Sequence, residues 1–168
     1  KNPDITRSEK ATMQLKYLIS GTALFLTTTV ACCAALADET IYALEKEGTR
    51  LRLSGDFVSA KIIENELIDR YTEPAGHVFA LNSIITQLTW DETQTKYDEK
   101  LIEHATKTLA WCEPRIDHEE VGATANYYCG QANFVLSFHS ALRGNYFQAG
   151  RRGTASIDYL EAALSKDP

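Results

Sequence analysis

The stretch LSGDFVSA at Leu53–Ala60 decides the fold, because a similar stretch, LRGNYFQA at Leu142–Ala149, occurs near the other end of the chain. Each reads Leu, a polar residue, Gly, a turn-former, an aromatic residue, two further residues and Ala. Gly followed by Asp56 or Asn145 is typical of a turn. An aromatic residue three positions before Ala fits one face of a helix that begins there. The sequence therefore predicts one helix–turn–helix element used twice.

Apolar residues recur every three or four positions along most of the chain, which predicts amphipathic helices, and no alternating strand pattern is found. The predicted helices cover residues 38–53, 57–71, 77–90, 96–112, about 118–142 and 146–164. Pro74 and Pro114 separate the pairs, since Pro disfavours helical geometry in the residue before it. Turns within the pairs are predicted near Gly55, 91–95 and Gly144, spaced by roughly 40 and then 50 residues, which is typical of a helical repeat array. The predicted fold is all-α, with three antiparallel helix pairs stacked as a short α-solenoid.

The order Gly, x, aromatic, x, x, Ala, followed by a helix that closes on Asp167-Pro168, resembles the tetratricopeptide repeat. The last unit carries most of the resemblance, through residues of its first helix and its turn: Tyr128, Gly130, Ala132, Gly144, Tyr146 and Ala149. The middle unit departs from the pattern, with no Gly at its turn. The resemblance, to repeat proteins of an exported bacterial type, implies a scaffold or adaptor whose first helices line a concave face that binds a peptide or protein.

The beginning of the chain has the pattern of an export signal. Met13–Lys16 is short and basic, Tyr17–Ala34 is apolar, and Ala35–Ala37 offers a cleavage site. We therefore expect residues 1–12 to be an upstream leader, 13–37 a cleavable signal peptide, and 38–168 a helical-repeat domain in the periplasm. Alternatively, Thr29–Cys32 resembles a lipobox, which would make Cys32 a lipid anchor. Membrane contact is expected only through these segments.

The domain after the signal segment is acidic. Of 17 Lys and Arg and 23 Asp and Glu in the chain, the first 37 residues hold four and two, which leaves 13 against 21 and a net charge of −8. Nucleic-acid binding requires clustered cations that displace counterions from phosphates. The sequence therefore disfavours a nucleic-acid partner.

Reactive side chains form no recognisable active site. The four His residues, His77, His104, His118 and His139, have no pair at the three- or four-residue spacing of a helical metal site. No phosphate loop or nucleophile elbow is present. We therefore expect no metal, no cofactor and no enzymatic activity.

The two cysteines of the domain, Cys112 and Cys129, are expected to be buried thiols. An antiparallel register about Ile116 would set their Cα atoms about 12 Å apart, which is too far for a disulfide. An asymmetric loop would still allow the bond.

Surface residues of the first helices are the remaining candidates for function. Six polar residues are most able to face a peptide in a groove: Asn82, Gln87, Asn126, Gln131, Asn133 and His139. Their amides can pair with both donors and acceptors of a peptide backbone. The alternative is a small-molecule binder or enzyme with a pocket around the aromatic residues of the fifth helix, namely Tyr128, Phe134, Phe138 and His139.

The last helix suggests two further expectations. Ala149, Gly150 and Gly153 lack bulk, so we expect this helix to approach the fifth closely, opposite Ala132 or Ser137.

The repeat pattern stops where another unit would begin, so 38–168 is expected to be truncated at its C-terminal end. An uncapped apolar face there would allow self-association.

Overall fold

The computed structural model describes residues 40–166, and every regular element in that part is helical. The described part of α1 covers 40–53; α2 is Phe57–Arg70, α3 Ala75–Leu88, α4 Asp98–Cys112, α5 Gly122–Leu142 and α6 Tyr146–Lys166. A short 3-10 helix, Glu113–Arg115, follows α4. Residues from Ala43 onward form one compact unit. The all-α prediction is confirmed. The expected leader, signal peptide, Cys32 anchor and terminal Asp167-Pro168 lie outside the described residues.

The two similar stretches form the same turn. In the first, Gly55 has a positive φ of 85°, its N–H donates to Arg52 O at 3.1 Å, and Asp56 N–H donates to Leu51 O at 2.9 Å. In the second, Gly144 has a φ of 74° and the equivalent bonds run to Ala141 O and Ser140 O. This is the Schellman arrangement that closes a helix.

The next residue in each stretch then caps the following helix. Asp56 Oδ1 accepts from Ser59 N–H at 3.0 Å, and Asn145 Oδ1 accepts from Gln148 N–H at 3.2 Å. Such caps satisfy backbone donors that have no partner within the helix. One sequence element therefore gives one structure twice, as predicted.

The middle turn is built differently, because it has no Gly. Asp91 accepts hydrogen bonds from Thr93 and Gln94. Arg143, at the end of α5, donates to Glu92 O and Gln94 O and to both carboxylate oxygens of Asp98. This turn thus has backbone hydrogen bonds of its own, such as Gln94 N–H to Asp91 O, and is also held by a side chain from the third pair.

Sequential helices pack against one another, and the first helices of successive pairs are also neighbours. α3 packs against α5, and a Cβ atom at Gly48 of α1 would lie 2.6 Å from Phe79 of α3. Of the helices from α2 onward, α2 and α4 are not backbone neighbours, and neither are α4 and α6. The helices therefore have a repeat-like arrangement with α1, α3 and α5 side by side. A core shared by α3, α4 and α5 holds the second and third pairs together: Leu81, Ile84, Leu88, Leu101, Ala105, Ala132, Val135 and Leu136.

The cysteine prediction is wrong: Cys112 and Cys129 form a disulfide, with Cα atoms 5.7 Å apart. The expected register assumed that α5 begins near His118. Instead, the 3-10 helix and the turns after it carry the chain beyond the end of α4, and α5 begins only at Gly122. Cys112 at the end of α4 is then level with a residue two turns into α5. The loop is asymmetric, so the sulfur atoms meet.

Candidate functional site

Helices α3, α4 and α6 pack against α5. Cys129 is bonded to Cys112 of α4. Tyr128 packs edge-on against Trp111 with ring centres 5.9 Å apart. On the α6 side, Ser156 donates a hydrogen bond to Gly130 O at 2.9 Å. The remaining side of α5 is partly exposed.

That partly exposed side is mostly aromatic. Tyr127, Gln131, Phe134 and Phe138 follow at spacings of four, three and four residues, which places them on one face of the helix. Tyr127 is 45% exposed and Phe134 53% exposed, while Gln131 and Phe138 are half-buried. We call these four residues the open face of α5. Aromatic side chains expose large areas that gain from burial against a partner.

A groove of about 480 Å³ lies where the open face meets α6. We call it the α5–α6 groove, and it is lined by Ala123, Thr124, Tyr127, Leu160, Ala163 and Leu164. Apart from Thr124, the lining side chains are those of Ala, Leu and Tyr. Leu164 is 67% exposed at the groove's edge. The groove is therefore suited to an apolar side chain of a peptide whose backbone stays outside the groove.

A carboxylate lies near this apolar groove. Burial raises the pKa of Glu45, a half-buried residue of α1. Burial also raises the pKa of Tyr127, and the negative charge of Glu45 adds to that effect. No ion pair or hydrogen bond to the Glu45 carboxylate is found within residues 40–166. A cation brought by a ligand would therefore gain a partner here.

Two of the six residues expected to face a groove are buried. Asn126 is 3% exposed and donates to Ile116 O and Gly122 O, at 2.9 and 2.7 Å. Asn133 is 2% exposed, donates to Cys129 O, and accepts from Arg152 of α6 at 2.9 Å. Their amides hold the start of α5 and the α5–α6 contact. They therefore do not present to a partner.

The other four expected residues are half-buried, and the structure does not gather them into one site. Asn82 lies on α3, and Gln87 accepts a hydrogen bond from Tyr97 at 2.6 Å. His139 Nε2 lies 3.2 Å from Asp98 Oδ1 without a hydrogen bond of good geometry. The Arg143 guanidinium lowers the pKa of that Asp98 carboxyl, and His139 contributes less. Only Gln131 joins the open face.

Within residues 40–166, the aromatic residues of α5 expected to line a pocket face different directions. Tyr128 is 6% exposed and faces the core, whereas Tyr127 and Phe134 face solvent. Neither the α5–α6 groove nor the smaller cavity beside His77 is lined by Tyr128, Phe134, Phe138 or His139.

A second polar feature joins α3 and α4. The Nδ1 atoms of His77 and His104 lie 3.0 Å apart, so one imidazole donates to the other. Burial lowers the pKa of both rings, that of His104 to about 4, and the positive charge of Lys107 acts in the same direction on both. The charges of His77 and Lys61 lower the pKa of His104 further. In residues 40–166 no three His, Cys, Asp or Glu side chains are grouped so as to hold a metal ion.

Sequence reasoning missed the groove residues of α6. Leu160 and Leu164 were predicted only to lie in an amphipathic helix. The sequence of one helix does not show where its packing against a neighbouring helix leaves a groove. The spacing of Tyr127, Gln131 and Phe134 was the available signal. An aromatic stripe on a helix usually marks its buried face, so that signal was indistinguishable from core.

Comparisons with protein-family models, curated proteins and solved structures return no match. None of the helices within 40–166 has the length and apolarity required to cross a bilayer.

Proposed function

We propose that this protein is an exported, tetratricopeptide-like interaction module that binds a peptide or protein partner on the face lined by its first helices. The observation that carries the proposal is the open face of α5, which continues into the α5–α6 groove. Exposed apolar patches that lead into a cleft mark binding sites more often than inert surface. The side-by-side arrangement of α1, α3 and α5 supports a concave face there.

The partner's chemistry follows from the groove. The lining suits an apolar side chain. The Glu45 carboxylate near Tyr127, which has no ion-pair partner among residues 40–166, favours a cation beside it. The acidic chain repels an acidic partner at long range. The proposed ligand is therefore a segment with an aromatic or leucine anchor flanked by Lys or Arg.

The periplasm is the proposed location. A disulfide such as Cys112–Cys129 persists in oxidising compartments and is rare in the cytosol, which supports export. Sequencing the N-terminus of the exported protein would separate cleavage before Asp38 from lipidation at Cys32. An intact N-terminus in the cytosolic fraction would contradict export.

The test uses fluorescent peptides of about 12 residues with one central Phe or Leu and either basic or acidic flanks. We expect fluorescence anisotropy to show micromolar binding of the basic peptides only. Tyr127→Asp should weaken that binding at least about tenfold, since it places a charge in the groove. Glu45→Gln should reduce the preference for basic over neutral flanks.

Ile102→Asp is the matched control, because Ile102 is 44% exposed on α4 and lines neither cavity. It should leave binding unchanged. Equal affinity for basic and acidic peptides, or equal losses in the two aspartate variants, would contradict the proposed site.

A small apolar molecule is the second candidate ligand. The groove's volume of about 480 Å³ lies in the range of small-molecule pockets. An anilinonaphthalene dye that binds wild type but not Tyr127→Asp, with no peptide binding, would favour this candidate.

A further inference from the structure

The outer side of α6 carries a stripe that no described helix covers. It consists of residues at alternating spacings of three and four, namely Phe147, Gly150, Thr154, Ile157, Glu161 and Leu164, and all six are exposed. Phe147 is 76% exposed and Ile157 58% exposed. A Cβ atom added at Gly150 would meet nothing within 4 Å. This seven-residue spacing is the one by which helices pair along a seam, and three of the six positions carry large apolar side chains.

The stripe is complementary to itself when it is reversed. If two α6 helices run antiparallel about a point level with the Ala155–Ser156 bond, Phe147 falls opposite Leu164 of the other copy. Thr154 then falls opposite Ile157, and Gly150 opposite Glu161. All three layers match in a single register, and the missing side chain at Gly150 leaves space for the longer Glu161.

The charges beside the stripe match in the same register. Arg151 and Asp158 are both exposed and lie on the same edge of it. None of Arg151, Asp158 and Glu161 forms an ion pair within the described residues. In the antiparallel arrangement, Arg151 lies within about two residues of Asp158 and Glu161 of the other copy, which is within side-chain reach. The two-fold axis produces this contact twice.

We propose that this protein forms a two-fold homodimer by antiparallel pairing of α6 along this stripe. An interface between two copies must be complementary to itself, and both the apolar layers and the charges of α6 meet that condition. The stripe is separate from the open face of α5, and it shares only Leu164 with the α5–α6 groove. A segment downstream of residue 168 or an unrelated protein on the stripe would leave the chain monomeric.

The test measures the mass of the full 168-residue chain by sedimentation equilibrium from about 1 to 200 µM. We expect a reversible dimer that weakens at high salt. Arg151→Glu should raise the dimer Kd at least about tenfold, because it opposes Asp158 and Glu161 of the other copy. Ile157→Ala should raise it by a similar factor.

Exchange of all three charges, Arg151→Glu with Asp158→Arg and Glu161→Arg, should restore the dimer to within about threefold of wild type. Lys100→Glu, an equal charge change at an exposed position of α4, should have no effect. The proposal is overturned by a monomer at every concentration, by a dimer insensitive to Arg151→Glu, or by failure of the folded exchange variant to dimerise. None of these substitutions lies in the α5–α6 groove, so peptide binding reports separately on the proposed function.

Discussion

Gly130 shows how one residue sets the distance between the two longest helices. A Cβ atom there would lie 2.7 Å from Leu160 Cγ and 3.3 Å from Ser156 O. The absence of a side chain lets Ser156 reach the backbone of α5 with its hydroxyl. The close approach also positions Leu160 along the α5–α6 groove. The groove therefore depends on a glycine that does not line it.

Gly130→Ala tests this contact. We expect a loss of about 1–2 kcal/mol in the free energy of unfolding, since the overlap of the new methyl group outweighs the gain in helix propensity. Urea denaturation followed by circular dichroism measures it. Gly150→Ala, at the open position on α6, should instead stabilise the chain by about 0.5–1 kcal/mol, measured at a concentration low enough for it to be monomeric. A stabilising Gly130→Ala would show that α5 and α6 are not this close.

Two glycines of α6 were expected to lie close to α5, and only one of them does. The close approach expected at Gly153 is confirmed, because a Cβ atom there would lie 3.2 Å from Ser137 Oγ. The same expectation at Gly150 is wrong, since that position faces open space. The sequence makes the same prediction for both glycines. Only the rotation of α6 about its axis places Gly153 against α5 and Gly150 in open space.

At the scale of elements, the second helix pair is joined by a pair of imidazoles. The Nδ1–Nδ1 contact between His77 and His104 requires that at least one ring be neutral. Charged groups near the two rings come from α2 and α4: Lys61, Glu103 and Lys107. Both lysines oppose protonation and Glu103 favours it. The α3–α4 contact is therefore sensitive to acid.

We expect stability to fall as the pH decreases from about 6.5 to 4. His104 has a folded-state pKa of about 4, below the ordinary value of 6.5 that applies when the chain is unfolded. The unfolded state therefore binds more protons in this window, and its population grows. Above pH 6.5 the contribution of the neutral pair is fully present.

The measurement is the urea midpoint at pH 7, 6 and 5. His104→Asn should flatten the dependence, while His118→Asn, at an exposed position, should leave it as in wild type. A pH profile unchanged by His104→Asn would rule out the imidazole pair as its source.

At the scale of the whole molecule, the disulfide links the second helix pair to the third. Cys112 and Cys129 are both fully buried, and the bond closes a loop with a sequence separation of 17. Arg143 makes a second link between the same pairs by holding the 91–95 turn and Asp98. The disulfide lies two turns into α5, and Arg143 directly follows its last residue. Together with the shared core they join the pairs into one unit.

Reduction of Cys112–Cys129 should lower the free energy of unfolding by about 2–4 kcal/mol, because the reduced chain gains conformational freedom when it unfolds. Thermal denaturation with and without dithiothreitol measures the change. Cys112→Ala combined with Cys129→Ala should melt near the reduced protein and not respond to the reductant. Equal melting temperatures for the oxidised and reduced wild type would contradict this stabilising role.

Much of the secondary structure follows from local chemistry. Gly55 and Gly144 supply the positive φ that a Schellman turn requires, and Asp56 and Asn145 cap the next helix with their own side chains. Because these interactions span only a few residues, the sequence alone predicted the all-α fold and both turns. The start of α5 was predicted about four residues early, since the 3-10 helix after Cys112 has no comparable signal.

The candidate site was decided by tertiary structure. The sequence by itself determined that α5 carries both Tyr127 and Tyr128 and both Asn126 and Gln131, but adjacent residues on a helix point in different directions. Packing of α3, α4 and α6 around α5 buried Tyr128 and Asn126, left Tyr127 exposed and left Gln131 half-buried. Formation of the disulfide likewise depended on the register that the loop between α4 and α5 sets for these two helices. Such choices rest on contacts between residues distant in sequence, which local patterns do not encode.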